Sequence, residues 1–210
     1  MIKSFIVVFF VALLIYFVFN LQPDETVEEH SEKVIGLEVK SDYIVKPLFN
    51  ERYRKQLKEK IGRARQEIFV AMYVIEPVSL MAEEDEGWDR WREDHVKEIL
   101  DRLIEASRRG VEVLVVLSRP SEANSYKTKS NKMAKEYLVN RGLVVDYNQS
   151  PTSLHDKFVA IDGKYIFQGS HNWTNAALGY NHEQSLLMEA VEPGKDIIWD
   201  NYREFLSLKR

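Results

Sequence analysis

The sequence predicts an α/β class domain, a mixed sheet flanked by helices, over residues 41–210, preceded by a transmembrane helix. Three observations lead there. Apolar runs of strand length alternate with stretches whose apolar residues recur at helical spacing. Two of the helical stretches close on glycine, Gly110 and Gly142, a helix stop signal. The first 21 residues are almost wholly apolar. Strand and helix in alternation is the pattern of layers packed around one sheet.

The amino-terminal run MIKSFIVVFFVALLIYFVFNL is of a length that reaches across a bilayer, roughly 17–25 residues. It has no polar face of the kind a helix of a globular core would show. A cleaved leader would carry small residues after the apolar run, whereas this one exits as FVFNLQ, so an uncleaved anchor is expected over residues 1–22. Lys3 precedes the span, and Asp24, Glu25, Glu28 and Glu29 follow it; the positive-inside rule then places the body outside the cytoplasm. Residues 23–40 are acidic and open on Pro23, which suits a tether.

From residue 41 the pattern tightens. SDYIV is a short strand. ERYRKQLKEKIGRARQ sets Tyr53, Leu57, Ile61 and Ala64 on one helical stripe, and EIFVAMYVI is a continuous apolar strand. WREDHVKEILDRLIEASRRG repeats apolar residues at Val96, Ile99, Leu100, Leu103 and Ile104, and VEVLVVLS follows as a buried strand. SNKMAKEYLVNRG takes Ser130 as its N-cap, with Met133, Tyr137 and Leu138 on one face, before the strand LVVDY.

The 210 residues suffice for one domain with a sizeable core and would cramp two. The absence of cysteine excludes a disulfide framework, a thiolate metal site and a thiol nucleophile. Setting Lys3 aside leaves 28 basic against 33 acidic side chains, so a uniformly basic nucleic-acid clamp is excluded. The charge is uneven, however. Residues 51–65 hold seven Lys or Arg against two Glu, and residues 119–141 hold six against two. Either run is a solvated face or a phosphate-facing patch.

Chemistry concentrates in LHDKFVAIDGKYIFQGSHNWT, residues 154–174. Asp162-Gly163 is a strong signal for a two-residue hairpin turn, both of whose positions need positive φ. That turn pairs Ile161 with Lys164, and counting back sets Lys157 opposite Gln168 and His155 opposite Ser170. Residues two apart share a face, so His155, Lys157 and Ser170 converge, with Asn172 next along. An imidazole serves as nucleophile or proton carrier, a lysine supplies a fixed positive charge, and Ser and Asn donate hydrogen bonds. Such a set suits a phosphodiester, whose cleavage depends on positioning and charge stabilisation.

The spacing H-x-K-x4-D-x6-G-S-x-N, filled by His155, Lys157, Asp162, Gly169, Ser170 and Asn172, resembles the signature of the phospholipase D superfamily. Glu183 matches the acidic residue that follows it. The order of elements from residue 41 resembles one repeat of that fold per chain. The resemblance implies that His155 attacks phosphorus and forms a phosphohistidine. Lys157, Ser170 and Asn172 would hold the phosphate oxygens, Glu183 would hydrogen-bond and orient the imidazole, and Asp162, Gly163 and Gly169 would be structural. It implies no metal and no cofactor. A zinc site from His155, His171 and His182 is a rival whose spacing fits no standard ligand pattern.

The reaction needs a second histidine to protonate the leaving oxygen. His95-Val96-Lys97 repeats the H-x-K spacing but lies in a helical stretch with no G-S-x-N after it. Single-motif members of the superfamily are similar in forming a two-fold dimer, which implies a homodimer with a shared active site; within one chain, His171 and His182 would be the first alternatives. The expected substrate is nucleic acid, because residues 119–131, RPSEANSYKTKSN, form a loop rich in Lys, Ser and Asn that would line a cleft. The alternatives are a membrane phospholipase acting on cardiolipin-type lipids, which an anchor would serve, and a non-catalytic nucleic-acid-binding module.

Overall fold

A computed structural model of the chain describes residues 43–81, 94–122, 125–149 and 152–191. The expected anchor and tether lie outside the described residues. Among the described residues no helix is long and apolar enough to cross a membrane.

The elements, in chain order, are β1 (Tyr43–Phe49), α1 (Glu51–Arg63), β2 (Glu67–Met72), α2 (Val78–Met81), α3 (His95–Arg108), β3 (Glu112–Leu117), α4 (Ser125–Val139), β4 (Val144–Tyr147), β5 (Lys157–Ile161), β6 (Tyr165–Gly169), α5 (Asn175–Gly179) and β7 (Gln184–Ala190). The sheet runs β1-β7-β6-β5-β2-β3-β4. Strands β2, β3 and β4 are parallel and all other pairings antiparallel, so the sheet is mixed, as expected. Pro47 falls in β1, an edge strand, where a missing N–H does least harm.

Helical stripes seal one face of this sheet. Tyr53, Leu57 and Ile61 of α1, with Val96, Ile99, Leu100, Leu103 and Ile104 of α3, are buried together with Val70, Val115, Val159, Phe167 and Trp173. Asp94 caps α3, its carboxylate accepting from the backbone N–H of Val96 and Lys97, which satisfies two of the donors that a helix start leaves open. The other face carries a smaller apolar cluster that includes Phe69, Ala71, Phe158, Ala160 and Ile166. Strand β5 is buried along its whole length, because it lies between the two clusters.

Two local expectations are corrected. Ser130 does not cap a helix. Helix α4 begins five residues earlier, within the stretch expected to be loop, and the buried Ser130 hydroxyl donates to the Tyr126 carbonyl oxygen at 2.9 Å, so it bonds back to the preceding turn. The hairpin register is also shifted. Asp162 and Gly163 both have the positive φ a tight turn needs, but Ile161 pairs with Tyr165 and Phe158 with Gln168. Lys164 is an extra loop residue whose carbonyl accepts from the Ala190 N–H of β7. The cause is non-local: the Asp162 carboxylate accepts from the backbone N–H of Arg65, Gln66 and Glu67, drawing the turn onto the link between α1 and β2.

Candidate active site

The parallel strands β2 and β3 end, and β5 begins, at one edge of the sheet, and carboxyl ends of parallel strands are where α/β sheets form ligand sites. Beyond Met72 the chain leaves the ladder because the buried Asn131 side chain takes over its hydrogen bonds. Asn131 Oδ1 accepts from the Ile75 N–H at 2.9 Å, and Nδ2 donates to the carbonyls of Tyr73 and Ser118. Tyr73 then donates its N–H to the Asp156 carbonyl at 2.8 Å. Its ring lies 4.5 Å, centroid to centroid, from that of His155.

Here the structure joins two of the expected residues. Lys157 is only 8% exposed, yet its Nζ lies 3.1 Å from Nδ1 of the exposed His155, 3.5 Å from Nε2 and 2.8 Å from the His155 carbonyl oxygen. It also sits 5.1 Å from the Tyr73 ring centroid. Burial pushes the Lys157 pKa below its ordinary value, against the opposing charges of Asp156 and Glu183. An ammonium held this way is a positive charge with little mobility, in a setting where its field is weakly screened.

The remaining expected residues assemble from β6 and the segment after it. Gly169 stands opposite Ser185 of β7, and past it the chain bends out of the strand, so the one-residue register shift does not throw Ser170 out of reach of the acidic residue. The Ser170 hydroxyl donates to Glu183 Oε2 and accepts from the Gln184 N–H at 3.0 Å. Glu183 Oε1 accepts from Asn181 Nδ2. The expected hydrogen bond between Glu183 and His155 does not form within one chain: the Glu183 oxygens accept from Ser170 and Asn181, and the His155 ring is met by Lys157 and Tyr73. Asn50, at a positive φ of 49°, pins Glu183 from below, accepting its N–H on Oδ1 at 3.0 Å and donating its own N–H to the Glu183 carbonyl.

Asn172 sits between two anchored neighbours. Trp173 is wholly buried, donates its N–H to Val74 and accepts from Glu76 on the segment leading out of β2. His171 is wholly buried, stacked on Tyr53 at 4.2 Å, with Nδ1 hydrogen-bonded to Ser185 Oγ at 2.7 Å. Burial pushes the His171 pKa down, so the ring stays neutral; the Glu183 charge and the Asn50 backbone oppose the shift. Asn172 Oδ1, held between them, is a buried acceptor without a hydrogen-bond partner among the described residues, and buried polar atoms are rarely left so.

The other expected histidine groupings do not form. His171 points into the core, and among the described residues no group of three His, Asp or Glu side chains is placed to hold a metal ion. His95 and Lys97 are on α3, with His95 meeting Arg54 and Lys97 paired to Asp101 at 2.7 Å. Tyr73, Asn50 and Ser185 were not singled out from the sequence. Only a polar aromatic within the EIFVAMYVI run hinted at Tyr73; the other two depend on strand pairing.

Residues 57–198 match the family described as cardiolipin synthase, PLD-like domain. A mitochondrial cardiolipin hydrolase of Chlamydomonas reinhardtii is 26% identical over 112 residues, 50% of this chain and 48% of that protein. A phospholipase D of Rickettsia conorii is 34% identical over 94 residues, 45% of this chain and 44% of that protein. The chain thus spans about half the length of the curated relatives it matches. Among solved structures, Nuc of Salmonella typhimurium, a phospholipase D family member, superposes with a TM-score of 0.59 at 19% identity, over 80% of this chain and 93% of that one. NucT of Helicobacter pylori gives 0.55 at 15% identity, over 80% and 97%. These two likenesses concern the fold.

Proposed function

The chain belongs to the phospholipase D superfamily, and on that premise we propose that it hydrolyses phosphodiester bonds of nucleic acid through a covalent intermediate on His155. The observation that carries this is the contact between the buried Lys157 ammonium and the exposed His155 ring, 3.1 Å at Nδ1. With Nδ1 as the unprotonated nitrogen, the ammonium covers the imidazole lone pair. A phosphate oxygen competes for the same ammonium, so substrate binding frees the lone pair where phosphorus arrives. The ring nitrogen then bonds to phosphorus, the P–O bond to the leaving group breaks, and the alkoxide takes a proton. Water attacks the phosphohistidine in the second step and restores the ring. Lys157 and the Asn172 amide stabilise the charge on the phosphoryl oxygens, and the Ser170–Glu183 pair shapes the far side of the site. An ammonium in hydrogen-bond contact with the imidazole already supplies positive charge and disfavours a divalent ion at that nitrogen, so the reaction runs in chelator.

The leaving alkoxide needs an acid. His171 is sealed in the core; we assign this proton to His155 of the partner subunit, across the two-fold axis of a homodimer, with the exposed His182 as the alternative within the chain. The anchor expected over residues 1–22 would confine the copies to one membrane and raise their effective concentration. Co-refolding with His155→Ala chains checks the pairing: activity falls as the square of the wild-type fraction for a shared site and linearly for independent ones.

Nucleic acid is favoured by the exposed Arg119, which follows β3 and whose carbonyl accepts from Lys127; Lys129 and Lys132 add exposed cations elsewhere on α4. The second reading, a cardiolipin-type lipid, is favoured by the names of the curated relatives. The deciding experiment offers single-stranded DNA, duplex DNA, RNA and cardiolipin vesicles to the protein in chelator. Cleavage of a polynucleotide supports the proposal and cleavage of cardiolipin alone moves the substrate to lipid. Binding of nucleic acid with no turnover would leave a non-catalytic module.

A further inference from the structure

We infer that Lys127 forms a second oxyanion subsite beside the reacting one, and that the substrate carries a second phosphate next to the scissile phosphodiester. The inference rests on the phosphodiesterase reading of His155 and adds to it a residue that binds the phosphate beside the scissile one. Lys127 lies near the start of α4 and is only 4% exposed, unusual for a lysine, which is seldom fully buried. Its Nζ donates to Ser118 Oγ at 3.0 Å and to the Arg119 carbonyl at 3.1 Å, just past the carboxyl end of β3. It also lies 5.2 Å from the Tyr73 ring centroid.

That ring is the connection to the reaction centre. It meets the His155 ring at 4.5 Å and the Lys157 ammonium at 5.1 Å, so one aromatic side chain touches the nucleophile and both cations. Among the described residues Lys157 is the cation that reaches the imidazole, and the phosphoryl group under attack therefore falls to Lys157. Lys127 is offset around the ring, and we assign it the neighbouring phosphate, which would exchange with its present acceptors. The Ser118 hydroxyl beside it is 3.3 Å from that of Ser153, which is exposed, so hydroxyl donors continue from the buried ammonium towards solvent. Burial first, and then the charge of Arg119, push the Lys127 pKa down; an anion at this point would favour the charged form against both. The bonds to Ser118 and Arg119 fasten α4 to the end of β3; the aromatic partner shared with the nucleophile and the exposed Ser153 hydroxyl go beyond that role.

Neighbouring phosphates occur in a polynucleotide and in a diphosphatidyl lipid, and substrate pairs separate the two. The experiment measures kcat/KM for wild type and Lys127→Gln on a thymidine dinucleotide with one phosphodiester against a thymidine trinucleotide with two, and on phosphatidylglycerol against cardiolipin. The expected result is a wild-type preference for the two-phosphate member of one pair, which identifies the source. That preference should shrink by about tenfold or more in Lys127→Gln, as for loss of a charge-assisted contact, and Lys127→Arg should restore part of it. A wild type without preference in either pair overturns the subsite, as does a Lys127→Gln that slows both members by the same factor. A wild type that cleaves none of the four overturns the phosphodiesterase reading itself.

Discussion

Gly169 and Ser185 face each other across β6 and β7 so closely that a Cβ on Gly169 would lie 2.4 Å from Ser185 Oγ and 2.5 Å from Ser185 Cα. The second of these is backbone and cannot swing aside. Gly169→Ala must therefore spread the two strands that carry Ser170 and Glu183, and it should cost about 1–3 kcal/mol, the range for overpacking. Urea unfolding reads the loss. Because part of the clash is with Cα, Ser185→Ala should not rescue it; full rescue would show that the hydroxyl was the whole obstacle.

The Asp162 carboxylate gathers the backbone N–H groups of Arg65, Gln66 and Glu67. Asp162→Ala leaves these donors without their acceptor and places alanine at a φ of 56°. We expect a loss of about 2–3 kcal/mol, typical of hydrogen bonds to a charged group combined with a strained backbone position. Asp162→Asn keeps an oxygen and tolerates the φ, so it should recover part of the loss. Equal unfolding midpoints for wild type and Asp162→Ala would remove this residue from the account of the hairpin.

His171 links stability to pH. Burial holds its pKa below the ordinary 6.5, so on acidification the unfolded chain takes up a proton that the folded ring refuses. Stability from this group is intact above about pH 6.5 and falls as pH drops from there towards the folded pKa. His171→Phe keeps the stack on Tyr53 and removes the titration. Between about pH 7 and pH 5 its unfolding free energy should fall less steeply than that of wild type; parallel slopes would contradict the assignment.

Lys157 is expected to act as a cation, present below its folded pKa and lost as pH rises through it. Since burial lowers that pKa from 10.5, the alkaline limb of kcat/KM should fall below the ordinary lysine range, and Lys157→Arg should move it upward. Lys157→Ala should cut kcat by about a hundredfold or more, as for removal of an oxyanion donor. A raised KM with unchanged kcat would reduce Lys157 to a binding contact.

The strands and helices were legible because burial follows apolar spacing: Tyr53, Leu57 and Ile61 on α1 and the apolar residues of α3 are all in the core. His155 and Lys157 were legible because their meeting is local, two residues apart at a strand start. What failed was non-local. The turn register depends on amides about a hundred residues earlier that bind Asp162, and the partner of Glu183 depends on how the chain bends after Gly169. Ser130 misled because serine serves equally as a cap and as a residue bonded back to the preceding turn, and local sequence does not separate the two. Tyr73 and Lys127 become site-wall residues only once α4 packs across the ends of β2 and β3.

The central claim is that His155 carries the phosphoryl group. The most direct measurement is rapid quench of the protein with a substrate labelled at phosphorus, followed by denaturing separation. A label on the wild-type chain that is lost in acid and absent from His155→Asn, appearing and decaying at rates that account for turnover, is the predicted result. A label that persists in His155→Asn, or turnover of that variant at the wild-type rate, would contradict the account and place the nucleophile elsewhere.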